Sequence, residues 1–234
     1  MTEHLHNFCF GIYPYICATV FLIGSLLRFD RDQYTWKSDS SQLLRTGQLR
    51  WGSYLLHIGV LFLFLGHLVG LLTPHALYEP FISATNKQML AVISGGIAGV
   101  LCFAGLTILL YRRLADPRIR LTSHRTDILI LVLLWLQVLL GLATLPLSFA
   151  DRADAYNMLM LADWAQSLFT LRPDPTLLLS VNHIFKTHLI LGMTIFLLFP
   201  FTRLVHIWSG FGTLAYAFRP YQLVRARRMN LPRQ

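Results

Sequence analysis

The sequence predicts an all-α integral membrane protein with five transmembrane helices, its N-terminus outside and its C-terminus cytoplasmic. Three observations carry this. The 234 residues are 55% hydrophobic and 13% charged, with a mean hydropathy of +0.53, far from a soluble globular composition. Stretches without Lys, Arg, Asp or Glu run over residues 4–27, 51–78, 88–111 and 128–150. Each can cross roughly 30 Å of hydrocarbon at about 1.5 Å per residue. The basic residues, finally, collect at alternate ends of these stretches.

The first span covers residues 8–28. The preceding MTEHLHNF has no basic n-region and no small-residue cleavage site follows, so the span reads as a retained helix rather than a signal peptide. His4 and His6 read as interfacial. The second, third and fourth spans cover 52–73, 89–111 and 127–149. The fifth, 183–208, has only the 16 residues 187–202 between Lys186 and Arg203; snorkelling of both cations extends it. Pro200 predicts a bend there rather than a break. Between the last two spans, LMLADWAQSLFTL is partly amphipathic and suits a helix along the outer surface. No repeat or soluble domain is evident, so the chain reads as one membrane domain, 1–234.

Five crossings leave residues 28–50, 112–125 and 203–234 on one side. These hold 16 of the 20 Lys and Arg; the other side keeps Lys87, Arg152, Arg172 and Lys186. The positive-inside rule makes the first side cytoplasmic. The net charge of +9 therefore needs no nucleic acid. Arg225, Arg227, Arg228 and Arg233 suit lipid headgroups or a protein partner, and equally a solvated tail. Cys9, Cys17 and Cys102 form neither a C-x-x-C-H haem-attachment motif nor an iron–sulfur cluster pattern, and read as buried thiols.

Histidine is costly in hydrocarbon unless it has a partner or a task. His57 and His67 lie on the second span, His188 and His206 on the fifth. Because these spans run antiparallel, depth pairs His57 with His206 near the cytoplasmic side and His67 with His188 near the outer side. Two bis-histidine haems stacked across the membrane, a dihaem bundle, explain four such residues better than isolated hydrogen bonding does. The spacings are unequal. Ten residues correspond to about 15 Å of helix and eighteen to about 27 Å, so a tilt or the Pro200 bend must absorb the difference. Gly52, Gly59 and Gly66 recur every seven residues and admit either a flat macrocycle or a close helix. His75 and His183 read as interfacial or near a substrate mouth, and His124 as a surface residue.

An iron held by two histidines has no open position and carries electrons. Its propionates need cationic or hydrogen-bonding partners; Arg113 and Arg203 suit this role, and suit positive-inside anchoring as well. A membrane-soluble quinol is the natural donor, and Lys87 at the outer mouth suits its oxygen or a snorkelling interfacial role. Electrons moving inward against a negative interior cost about 2.3 kcal/mol each per 100 mV, which implies a high-potential acceptor on a cytoplasmic partner.

The chain also resembles the gamma subunit of membrane-bound respiratory nitrate reductase over nearly its whole length. The resemblance rests on IYPYI at 12–16, FLIGSLLRFDRDQYTW at 21–36, LLHIGVLFLFLGHLVGLLTPH at 55–75, RRLADPRIR at 112–120, KTHLILGMTIFLLFPFTRLVHIW at 186–208 and YQLVRAR at 221–227. It implies two haem b groups, an outer one on His67 and His188 and an inner one on His57 and His206. It further implies that Lys87 binds quinol and that menaquinol or ubiquinol is oxidised at the periplasmic side. The partners would be an iron–sulfur subunit and a molybdenum catalytic subunit, both cytoplasmic, with the chain in a bacterial inner membrane. Nothing carries over to the outer loop 151–182 or past Arg227. Two alternatives remain: a dihaem subunit of another respiratory or sulfur-metabolising oxidoreductase, and a haem-free anchor or transporter; the lack of internal symmetry counts against transport.

Overall fold

A computed structural model describes residues 2–32, 44–151 and 154–209. Among these, five helices are long and apolar enough to cross a membrane. The principal elements are α1 (Tyr13–Arg31), α2 (Thr46–Leu72), α3 (Ala84–Ala115), α4 (Arg125–Ala150), α5 (Tyr156–Phe169) and α6 (His183–Leu198). The basic C-terminal run and the YQLVRAR segment lie outside the described residues, as does Arg152.

Local chemistry sets the helix ends. Ser83 caps α3 by accepting from the Asn86 amide, and Asn182 caps α6 by accepting from Ile184, each taking up an otherwise orphaned N–H. Pro74 ends α2, because the residue before a proline is driven extended; Thr73 has φ −79° and ψ 114°. Asp116 ends α3 and caps the short helix Pro117–Leu121. A 2.7 Å bond from Arg45 holds its carboxyl below the usual carboxylate range.

The first span begins earlier than its apolar run suggests. Helix Glu3–Asn7 continues through a π-helical turn, Phe8–Ile12, into α1. His6 is buried and bonds the Pro175 carbonyl at 2.8 Å. Trp164 of α5 donates to the Phe10 carbonyl at 2.9 Å inside the wide turn, and both rings join Leu178, Val181 and Phe185 in a buried cluster. The LMLADWAQSLFTL helix is therefore clamped into the bundle by its apolar face.

Packing follows the order α2, α3, α4, α6, α1. The α2–α3 contact is the tightest. A Cβ on Gly59 would lie 2.7 Å from the Cys102 backbone nitrogen, and one on Gly105 would strike the Leu56 nitrogen. Only glycine allows such backbone approach. Gly52 and Gly59 thus serve helix packing against α3, whereas Gly66 faces open space. Large exposed hydrophobics such as Phe62, Leu65 and Leu136 cover the outside, as lipid contact requires.

The fifth span is broken, not bent. α6 stops at Leu198, 3-10 turns occupy Phe199–Phe201 and Arg203–Val205, and Thr202 between them is extended (φ −122°, ψ 176°). Pro200 lacks the N–H to continue the ladder, and the Thr202 side chain accepts from Leu204 to start the next turn. The break frees carbonyls in an apolar setting. Arg28 of α1 donates to Pro200 O at 2.6 Å and to Thr202 O at 2.9 Å.

Candidate functional site

α2 and α6 are not a packed pair; α3 and α4 stand between them in the packing order. Their histidines nevertheless meet. The His57 and His206 rings have centroids 6.4 Å apart, and those of His67 and His188 are 6.3 Å apart. The break after Leu198 lies between His188 and His206, so their separation is not that of eighteen residues of regular helix.

Three of the rings are oriented alike. His57 Nδ1 bonds Ser53 O at 2.7 Å, His67 Nδ1 bonds Leu63 O at 2.7 Å, and His206 Nδ1 bonds Arg203 O at 2.6 Å. Ser53 Oγ adds a 3.2 Å contact to His57. A carbonyl at Nδ1 fixes the proton there and leaves Nε2 as a lone-pair donor, the arrangement that metal-ligating histidines use. His188 departs from the pattern. Its Nδ1 is buried without a partner, and its Nε2 lies 3.4 Å from the Gln137 amide nitrogen of α4. Gly141 makes room, since a Cβ there would stand 3.1 Å from the ring's Cε1.

At the arginine-rich end, Asp127 collects two cations. Arg113 Nη1 lies 3.1 Å from Asp127 Oδ2, with side chains only 10% and 7% exposed, and Arg203 Nη1 approaches the same oxygen at 4.0 Å. The two arginines singled out as propionate partners thus share one carboxylate, and Arg203 also supplies the carbonyl that orients His206. Sequence reading passed over Asp127, whose only signal was an acid in the first turn of an apolar helix.

At the opposite end, Lys87 Nζ donates to Gly70 O at 3.2 Å and sits 3.7 Å from the Tyr78 ring centre. Gln166 donates to Leu71 O at 3.0 Å. Both cap carbonyls that the end of α2 leaves unpaired, and the lysine also complements the helix dipole. Gly70 is three residues past His67, about 4.5 Å along the axis, so Lys87 stands one turn beyond that ring. Burial raises the Tyr78 phenol above its ordinary value. His75 pairs with Glu79 at 3.3 Å, and His183 opens α6. Among the described residues no group of three or more His, Cys, Asp or Glu could hold a metal; two-histidine pairs are the available donor sets.

Comparison with known proteins agrees with the sequence resemblance. The family profile described as nitrate reductase gamma subunit matches residues 6–227. The respiratory nitrate reductase 2 gamma chain of Escherichia coli (strain K12) is 51% identical over 97% of this chain and 100% of its own length. The respiratory nitrate reductase 1 gamma chain of the same organism is 50% identical, covering 96% and 99%. The nitrate reductase gamma chain of Bacillus subtilis (strain 168) is 40% identical, covering 93% and 96%.

Proposed function

Because the chain belongs to the nitrate reductase gamma subunit family, we propose that it is the membrane cytochrome b subunit of a respiratory nitrate reductase. In this role it takes electrons from menaquinol or ubiquinol at the outer face of a bacterial inner membrane. It passes them inward to iron–sulfur and molybdenum subunits that reduce nitrate on the cytoplasmic side.

The observation that carries this reading is the distance between the paired rings. With a metal–nitrogen bond of about 2.0 Å and a ring centre about 1.1 Å further on, two imidazoles gripping one metal from opposite sides have centroids roughly 6.2 Å apart. The centroid separations of 6.4 and 6.3 Å fit that value, and directly hydrogen-bonded rings would sit differently. The separation of α2 from α6 in the packing suits a flat macrocycle, and the protein-bound Nδ1 atoms of His57, His67 and His206 leave Nε2 for iron. Bound at both pairs, haem b supplies one-electron transfer without an open coordination position.

The protein's own groups do the rest. His57 and His206 hold the inner site, and His67 and His188 the outer one. Arg113 and Arg203, gathered by Asp127, keep positive charge beside the inner site, where propionates need it. Lys87 donates a hydrogen bond to the quinol oxygen, within reach of the His67 end of α2, and protons leave to the outside.

A reduced-minus-oxidised spectrum of the assembled complex tests the proposal. Two b-type components are expected; His67→Ala or His188→Ala removes one and abolishes quinol oxidation. His206→Ala removes the other, leaving the first reducible by quinol but disconnected from nitrate. Fewer than two haems in the unmodified protein would refute the reading.

A further inference from the structure

Gln137 is an amide in the middle of α4, inside a run of residues 128–150 that carries no charge. A side-chain amide placed there is costly if left unpaired. It lies against a single functional group. Its Nε2 donates to the His188 carbonyl at 3.1 Å and stands 3.4 Å from the His188 ring Nε2. Its Oε1 is buried and has no partner, and neither has His188 Nδ1.

Two orphaned atoms therefore occur in one contacting pair, one on each side chain. His188 is also the only one of the four rings with no carbonyl of its own helix at Nδ1. The surroundings confine both groups. Gly141 lies against the imidazole, and a Cβ on Gly192 would stand 3.0 Å from the Gln137 amide nitrogen, so glycines on α4 and α6 leave space for this contact.

We propose that Gln137 is a positioning residue for His188. Its amide hydrogen-bonds the ring nitrogen that the metal does not take, doing from a neighbouring helix what backbone carbonyls do for the other three histidines. This inference rests on the haem reading of the His67–His188 pair. A ligated neutral imidazole has one N–H left, and the amide of Gln137, already in contact with the ring, carries an acceptor for it. Turning the amide to present its oxygen gives Oε1 a partner and gives up the bond that Nε2 makes to the His188 carbonyl. An acceptor at this position raises the basicity of the ligand and so favours the oxidised iron. Gln137 therefore sets the potential of one haem and not of the other.

The test uses membranes carrying the complete complex, with redox titration of both b-type signals and paramagnetic resonance of the oxidised haems. In Gln137→Leu, the haem that His188→Ala removes is expected at a higher midpoint with a displaced resonance line. The haem that His206→Ala removes should be unchanged. Gln137→Glu keeps an acceptor of greater strength and is expected to lower the same midpoint. Unchanged midpoints and lines in both variants would overturn the inference, as would a shift confined to the other haem. If the leucine variant loses the haem, the glutamate variant decides: a lowered midpoint supports the assignment, while an unchanged midpoint or loss of the same haem overturns it. Absence of two haems in the unmodified complex would sink the underlying reading instead.

Discussion

Lys87 holds a position where a structural task and the proposed quinol-binding one coincide. It caps α2 through Gly70 O, yet Gln166 already caps the adjacent carbonyl, so the helix end survives its loss. Lys87→Ala is expected to lower kcat/KM for quinol by about ten- to a hundredfold, the value of one hydrogen bond from a charged donor, with both haems retained in the spectrum. Loss of a haem would reassign the residue to structure. Asp127 behaves differently, because Arg113 is buried beside it. Asp127→Ala strands that guanidinium and is expected to cost about 3–5 kcal/mol, measurable as a lower thermal midpoint in detergent. Arg203 loses its 4.0 Å neighbour too, so the His57–His206 site should be the first to lose cofactor on heating. These residues were unequally legible. The four histidines stand out because imidazole is rare in hydrocarbon, whereas Asp127 and Gln137 acquire meaning only from the side chains opposite them.

Among the elements, the break in the fifth span is the most consequential. Sequence pattern alone favoured a bent helix over 183–208, since membrane helices often tolerate proline. The structure ends α6 at Leu198 instead, and the reason lies on another helix. A guanidinium from α1 satisfies Pro200 O and Thr202 O, and Gly24 lets α1 approach the Pro200 ring, to which a Cβ would come within 2.9 Å. Without such a partner the freed carbonyls would oppose the break. Arg28→Leu is therefore expected to cost about 1–3 kcal/mol for the unsatisfied carbonyls. Because His206 follows the break, the haem held with His57 should show an altered resonance line while its companion does not. An unaltered pair of lines would mean that Arg28 merely anchors the helix end.

For the whole molecule, the distribution of lysine and arginine carries a prediction of orientation. A reporter active only outside the cytoplasm should work when fused in the loop near residue 170 and fail when fused after residue 120. A reporter active only inside should show the reverse; the opposite result would invert the proposed direction of electron flow. The number of spans, their order and the charge asymmetry follow from composition and spacing, because an apolar run must form a helix to satisfy its backbone in lipid, whatever its neighbours. Depth along antiparallel spans likewise pairs the histidines, since position along a helix converts directly to height. Azimuth, helix breaks and second partners do not follow from such one-dimensional reasoning. They depend on which helix packs where, and the order α2, α3, α4, α6, α1 decides three things: Gly59 serves α3 rather than a cofactor, Arg28 reaches the broken span, and Gln137 meets His188. Composition and spacing along the chain account for five apolar helices long enough to cross a membrane and for the position of each histidine along its helix; which side chain each ring meets came only from the packed bundle, because lateral contacts between helices are set by packing rather than by order along the chain.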